Sequence, residues 1–141
     1  MTERTAVAYY RVSTDEQATS GLGLDAQREA VRRYAAAEGL RIVAEFTDAG
    51  ISGSAGLEDR PGLAEALDRL DTGDTLLVAK RDRLGRDVML CGWLELEAGR
   101  RGADIRSAAG EGNGDDPTAK LMRTLVDAFA EYERGVIRAR T

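Results

Sequence analysis

Two short segments of this chain carry residue types that could act on a phosphate. The first is Arg11, Ser13, Thr14 and Asp15, with Gln17 just beyond; the second is KRDRLGRD, which supplies Lys80, Arg81, Asp82, Arg83, Arg86 and Asp87. Asp48, Ser52 and Gly53 form a third polar group. Planar guanidinium groups bind phosphate oxygens in pairs of parallel hydrogen bonds. They also stabilise the charge that builds up when a phosphoryl group is transferred, a task often shared with metal ions. A serine hydroxyl is a weak nucleophile until something activates it. The sequence has no histidine, which removes the serine–histidine–aspartate triad and most zinc sites. Activation must then come from arginine, aspartate or the substrate itself. No carboxylate cluster with metal-binding spacing is visible, so arginines standing in for a metal ion is a coherent reading.

Each residue has an ordinary reading too. A serine after a strand is commonly a turn or cap residue. KRDRLGRD reads equally as the salt-bridged start of a helix, and GISGS as a plain connection. Cys91 lies on an apolar helix face and reads as core packing. Arg11 resists such a reading, because it directly follows an apolar run where an unpaired buried charge is costly.

The elements that must position these residues alternate. TAVAYYRV (5–12) is an apolar, β-branched and aromatic run, and RIVAEF (41–46), DTLLVAK (74–80) and the weaker ADIRS (103–107) follow as strands. Helices are expected over 24–39, 60–73 and 86–101, the second opened by Pro61. The third is expected to bury Met89, Leu90, Trp93 and Leu94. A last helix opens at Asp116 and Pro117 and runs to the end of the chain. Its apolar positions from Leu121 to Ile137 keep helical periodicity; the first half is expected to pack on its own sheet, with Val136 and Ile137 left for a partner chain or DNA. This order predicts an α/β fold: a mostly parallel sheet of four or five strands with helices on both faces, followed by a long C-terminal helix. In such sheets ligands bind beyond the carboxyl ends of the strands. The three polar segments should therefore meet at one edge.

The chain has 141 residues, 43% hydrophobic and 32% charged, which is the composition of one globular domain. One cysteine excludes an internal disulfide framework. No apolar run approaches the roughly 20 residues of a membrane span, and the N-terminus lacks a signal-peptide layout, so a cytoplasmic setting without membrane contact is expected. The net charge of −5 argues against non-specific nucleic-acid binding by the domain as a whole, although local charge outweighs the sum.

YYRVSTDEQ (9–17), DAQREA (25–30), DAGISG (48–53), RPGL (60–63), GDTLLVAKRDRLGR (73–86) and EYERGVIRART (131–141) resemble, in order and spacing, the catalytic domain of serine site-specific recombinases, the resolvase, invertase and serine-integrase family. The insert TSGLGL (19–24) is more similar to the large serine integrases. The resemblance implies a resolvase-like fold and DNA strand exchange without metal or other cofactor, through a 5′-phosphoserine link. It implies Ser13 as nucleophile, Arg11, Arg83 and Arg86 as phosphate-binding arginines, and Asp82 and Gln17 as their polar partners. Tyr9, Gln27, Asp48 and Lys80 match further positions around the pocket; Glu133 and Arg134 match a charged pair on the last helix. Double-stranded DNA and further copies of the chain, a dimer and then a tetramer in the active synapse, are the implied partners. Residues 1–116 are expected to form the catalytic core and 117–141 the helix for dimerisation and DNA approach, with the family's DNA-binding region lying beyond. Two other classes stay open on the residues alone. One is a catalytically silent assembly module on the same fold, which the intact Arg11, Ser13, Lys80, Asp82, Arg83 and Arg86 set disfavours. The other is a receiver-like or nucleotide-binding domain, which would want an acidic pocket or a glycine-rich loop where RVSTDEQ stands.

Overall fold

The computed structural model describes residues 4–13, 23–51, 55–85 and 87–140. Among them the chain forms β1 (Arg4–Val12), α1 (Leu24–Glu38), β2 (Leu40–Ala49), α2 (Pro61–Arg69), β3 (Thr75–Val78), α3 (Val88–Arg100), β4 (Asp104–Ser107) and α4 (Pro117–Arg140). Short 3₁₀ turns precede α2 and follow β3, the second at Arg81–Arg83. The four strands run parallel in the order β2-β1-β3-β4. The expected α/β architecture is therefore present, with four strands among the described residues.

β1 is apolar on both sides because both sides are buried. Val7 and Tyr9 face one core with Leu63 and Leu67 of α2, Leu94 and Ala98 of α3, and Met122 of α4. Ala6, Ala8 and Tyr10 face the other, against Val31 and Ala35 of α1. This two-residue alternation within one apolar run is what a central parallel strand requires. β1 and β3 are neighbours, while the chain leaves β1 toward one edge and β3 toward the other. Their carboxyl ends thus mark the switch point at which doubly wound sheets leave a crevice.

The structure redraws three details. β2 runs on through Thr47, Asp48 and Ala49, expected as loop, because β1 extends to Val12 and keeps offering ladder partners. Tertiary pairing overrides the weak strand preference of these residues. Met89 is 56% exposed rather than buried; the stripe α3 turns inward is Cys91, Leu94 and Ala98. Cys91 packs in the core as expected. The first half of α4 lies principally along α3 rather than on the sheet.

That helix pair is close because Gly92 has no side chain. A Cβ there would stand 2.8 Å from Cβ of Leu125 and 3.0 Å from the Phe129 ring. Arg100 of α3 pairs with Glu133 further along the seam. Gly92→Ala should therefore destabilise the fold by about 1 kcal/mol, the ~1–3 kcal/mol of overpacking partly offset by better helix propensity. Urea unfolding followed by fluorescence of the neighbouring Trp93 measures it.

Candidate functional site

β1 outruns β3. Its last pairing with β3 is at Ala8, while its pairing with β2 continues to Val12. The notch left beside the end of β1 is filled by side chains. Gln27 of α1 takes the place of a strand: its Nε2 donates to the Arg11 carbonyl at 2.9 Å, and its Oε1 accepts from the Arg11 amide at 3.4 Å. Arg83 donates to the same carbonyl from Nη1 at 3.0 Å.

The Arg11 side chain, 1% exposed, crosses the notch. Nε donates to the Arg83 carbonyl at 3.2 Å, Nη1 to Ile51 at 2.9 Å and Nη2 to Asp82 at 3.2 Å. These carbonyl dipoles orient the guanidinium. Arg83 is also buried, and its Nε donates to Oδ1 of its exposed neighbour Asp82 at 3.0 Å. Ser13, half-buried, is the residue immediately after β1. The structure thus brings two buried arginines together at the switch point, with Ser13 next in the chain after β1, and electrostatic interactions there are strengthened by the low effective dielectric.

Beneath them lies a third buried arginine that the sequence reading passed over. Arg60 is 0% exposed. Its guanidinium donates to the carbonyls of Leu84 and Arg83, and to the Tyr9 hydroxyl at 3.1 and 3.2 Å. It also sits 5.4 Å from the centre of the Tyr9 ring. Tyr9 passes the hydrogen bond on, donating to Oδ2 of Asp48 at 2.9 Å. Burial raises the Tyr9 pKa well above that of an ordinary phenol, so it remains a neutral O–H donor. Asp48 in turn accepts from the amides of Gly62 and Leu63 at 2.8 and 3.0 Å, satisfying the start of α2. One signal of Arg60 was available in the sequence. A cation directly before the first residue of a helix opposes the helix dipole and needs another reason to be there.

The other expected site residues divide. Tyr9, Gln27 and Asp48 lie in this network, as supports of the arginines. Lys80 is exposed and lines, with Gln27, Arg83 and a set of alanines, a cavity of about 380 Å³ between α1 and the ends of β3 and β4. Gln17 and Arg86 lie outside the described residues, as do Ser52 and Gly53. Glu133 and Arg134 are not brought to the notch; Glu133 meets Arg100 at the far end of α3, about 18 Å along that helix from its start. Among the described residues no group of carboxylate or thiol side chains is placed to hold a metal ion.

Fold and site together define a doubly wound parallel α/β domain with a serine and an arginine cluster at its switch point. The family model described as the resolvase N-terminal domain matches residues 6–141, and the chain belongs to that family, the catalytic domains of serine recombinases. It is 38% identical over 135 residues to the serine recombinase gin of Escherichia phage Mu, covering 96% of this chain and 63% of that protein. It is 35% identical over 144 residues to the transposon Tn2501 resolvase of Escherichia coli, covering 95% of this chain and 66% of the relative. The chain therefore spans a little under two-thirds of these relatives' length. Among solved structures, the N-terminal catalytic domain of TP901-1 integrase matches with a TM-score of 0.72 at 28% identity, covering 94% of this chain and 98% of that one. A resolvase family site-specific recombinase from Streptococcus pneumoniae matches with a TM-score of 0.63 at 27% identity, covering 97% and 92%.

Tyr9→Phe should cost about 1–3 kcal/mol of stability, because it removes the hydroxyl between a buried guanidinium and a buried carboxylate. Urea denaturation measures the loss, and Tyr10→Phe, whose hydroxyl bonds the partly exposed Glu45, is the milder comparison.

Proposed function

We propose that this chain is the catalytic domain of a serine site-specific DNA recombinase, and that Ser13 is its nucleophile. The observation that carries the reading is the pair of buried arginines, Arg11 and Arg83, oriented by main-chain carbonyls at the end of β1, with Ser13 the next residue after that strand. Ser13 Oγ attacks the phosphorus of the scissile phosphodiester. The bond to the 3′-oxygen breaks, that oxygen takes a proton, and the serine proton is lost. The products are a 5′-phosphoserine link and a free 3′-hydroxyl. Arg11, Arg83 and Arg86 stabilise the charge on the non-bridging oxygens, and Asp82 and Gln17 order them. The serine ester retains a transferable phosphoryl bond, so the reverse attack by a 3′-hydroxyl reseals DNA with no nucleotide cofactor. In this reading arginines replace a metal ion, Lys80 faces the DNA backbone, and the reaction takes place in the cytoplasm.

With the chain carried to DNA by a fused sequence-specific DNA-binding domain, a covalent protein–DNA adduct should form on a nicked duplex, persist in excess chelator, and vanish in Ser13→Ala. Adduct at normal yield from the alanine variant, or loss in chelator restored by magnesium, would overturn the assignment.

Residues 1–116 serve in this proposal as the core and 117–141 as the assembly helix. The supporting observation is apolar surface left uncovered along α3 and α4: Met89 and Leu121, with Tyr132 at 71% and Ile137 at 62% exposure. Arg134, Arg138 and Arg140 share that end of α4, where basic residues suit both the helix dipole and a DNA backbone. Glu133 and Arg134 would act in the assembled state. Phe129 already packs against Gly92 within the chain, so Ile137→Glu is the cleaner test than a change at Phe129. Sedimentation should show self-association at tens of micromolar (a range in which weak interfaces register) and monomer for Ile137→Glu.

A further inference from the structure

The turn Arg81–Arg83 is held from both sides. On one side its carbonyls, with that of Leu84, receive Arg11 and Arg60. On the other side stands Arg81, which faces away from the notch and is buried. Its guanidinium donates to Glu95 of α3, to the Ile105 carbonyl of β4 at 3.0 Å, and to the carbonyls of Glu111 and Gly112 at 3.4 Å. Its own amide donates to the Glu111 carboxylate. Gly112, at φ 77°, lies flat against it: a Cβ there would stand 2.7 Å from Nε.

Those acceptors lie at the entry to α4. The Gly112 amide donates to Oδ2 of Asp116 at 2.8 Å, while Oδ1 of Asp116 accepts from Ala119 in the first turn of α4 at 2.9 Å. Both amide bonds hold the Asp116 carboxyl below its ordinary pKa, Gly112 contributing most. The carbonyls that aim Arg11 therefore belong to residues joined to Arg81 directly through the main chain, and from the Arg81 guanidinium hydrogen bonds lead through Gly112 and Asp116 to the start of α4.

We propose that Arg81 is a positioning residue that couples the entry of α4 to the aim of the phosphate-binding arginines. It touches no substrate. A shift of the 111–116 segment moves its guanidinium, the guanidinium moves the turn, and the turn carries the acceptors of Arg11 and the main chain of Arg83. A planar fork with donors in several directions is needed, because a lysine offers only a compact point charge. In its catalytic consequence this rests on the reading above; its structural core does not.

The test is a double-mutant cycle read by amide hydrogen exchange. The Arg83 and Leu84 amides bond to the Lys80 and Arg81 carbonyls, and report the turn. Gly112→Ala, thirty-one residues from Arg81 in sequence, should speed their exchange about tenfold, the factor that one net hydrogen bond corresponds to. Arg81→Met should speed it at least as much, and Gly112→Ala added to Arg81→Met should change it by less than about twofold. Arg81→Lys should behave as Arg81→Met, and supplies the second arm should the methionine variant fail to fold. Slow exchange at Val7 and Ala8 verifies the core in every variant. Unchanged Arg83 and Leu84 exchange in Gly112→Ala, or effects that simply add, would overturn the proposal. In the DNA-directed fusion, Arg81→Lys should slow adduct formation about tenfold or more with unchanged DNA affinity; weakened affinity at an unchanged rate would overturn the catalytic part. Should the unsubstituted fusion form no adduct, the functional reading fails while exchange still decides the coupling.

Discussion

The carbonyls of residues 82–84 bear the constraint on which the rest of the site depends. They accept hydrogen bonds from two buried guanidinium groups, Arg11 on β1 and Arg60 before α2. Burying a cation away from water costs several kcal/mol unless dipoles and hydrogen bonds replace its hydration. Here a tight turn at the end of β3 supplies much of that replacement. Its carbonyls converge because the 3₁₀ conformation leaves them clear of a strand ladder. If β3 continued to Lys80, as its composition suggests, the notch would be filled by backbone and these arginines would have no place to lie.

The consequence is a site with its positive charge already in place. Arg11 and Arg83 are held by side-chain and main-chain contacts made within the chain, so in the proposed reaction little reorganisation would be required when the phosphate arrives. Gln27 and Tyr9 contribute by satisfying what the short β3 leaves open. Asp48 ties the same network to the start of α2, so site and fold share their polar groups. Stability and chemistry are hard to separate at these positions, and variants of Tyr9 or Arg60 act on both.

The second feature is the route by which this notch is joined to the long C-terminal helix. α4 touches the core through Ala119 and Met122 and the α3 seam through Gly92, then continues with apolar residues exposed. Asp116 and Gly112 anchor its entry, and Arg81 spans from there to the turn. A helix with an uncovered face and a site with preset arginines are thus connected by few, directional contacts rather than by a broad packed interface.

The sequence by itself determined the order of elements, the parallel α/β class and the strand ends at which the polar residues gather, because apolar periodicity and the position of Pro61 are local properties. It also determined the family, since RVST and KRDRLGR at this spacing leave few alternatives. Only the tertiary structure decided which arginines are buried and what each one holds. Arg60, Arg81, Arg83 and Arg11 look alike in sequence, yet Arg60 rests on Tyr9, Arg81 turns toward α4, and Arg11 and Arg83 share the notch. That division follows from how far β1 runs past β3 and from where α1 and α3 cross the sheet. Both are outcomes of packing between segments distant in the chain, and no local window of residues contains them.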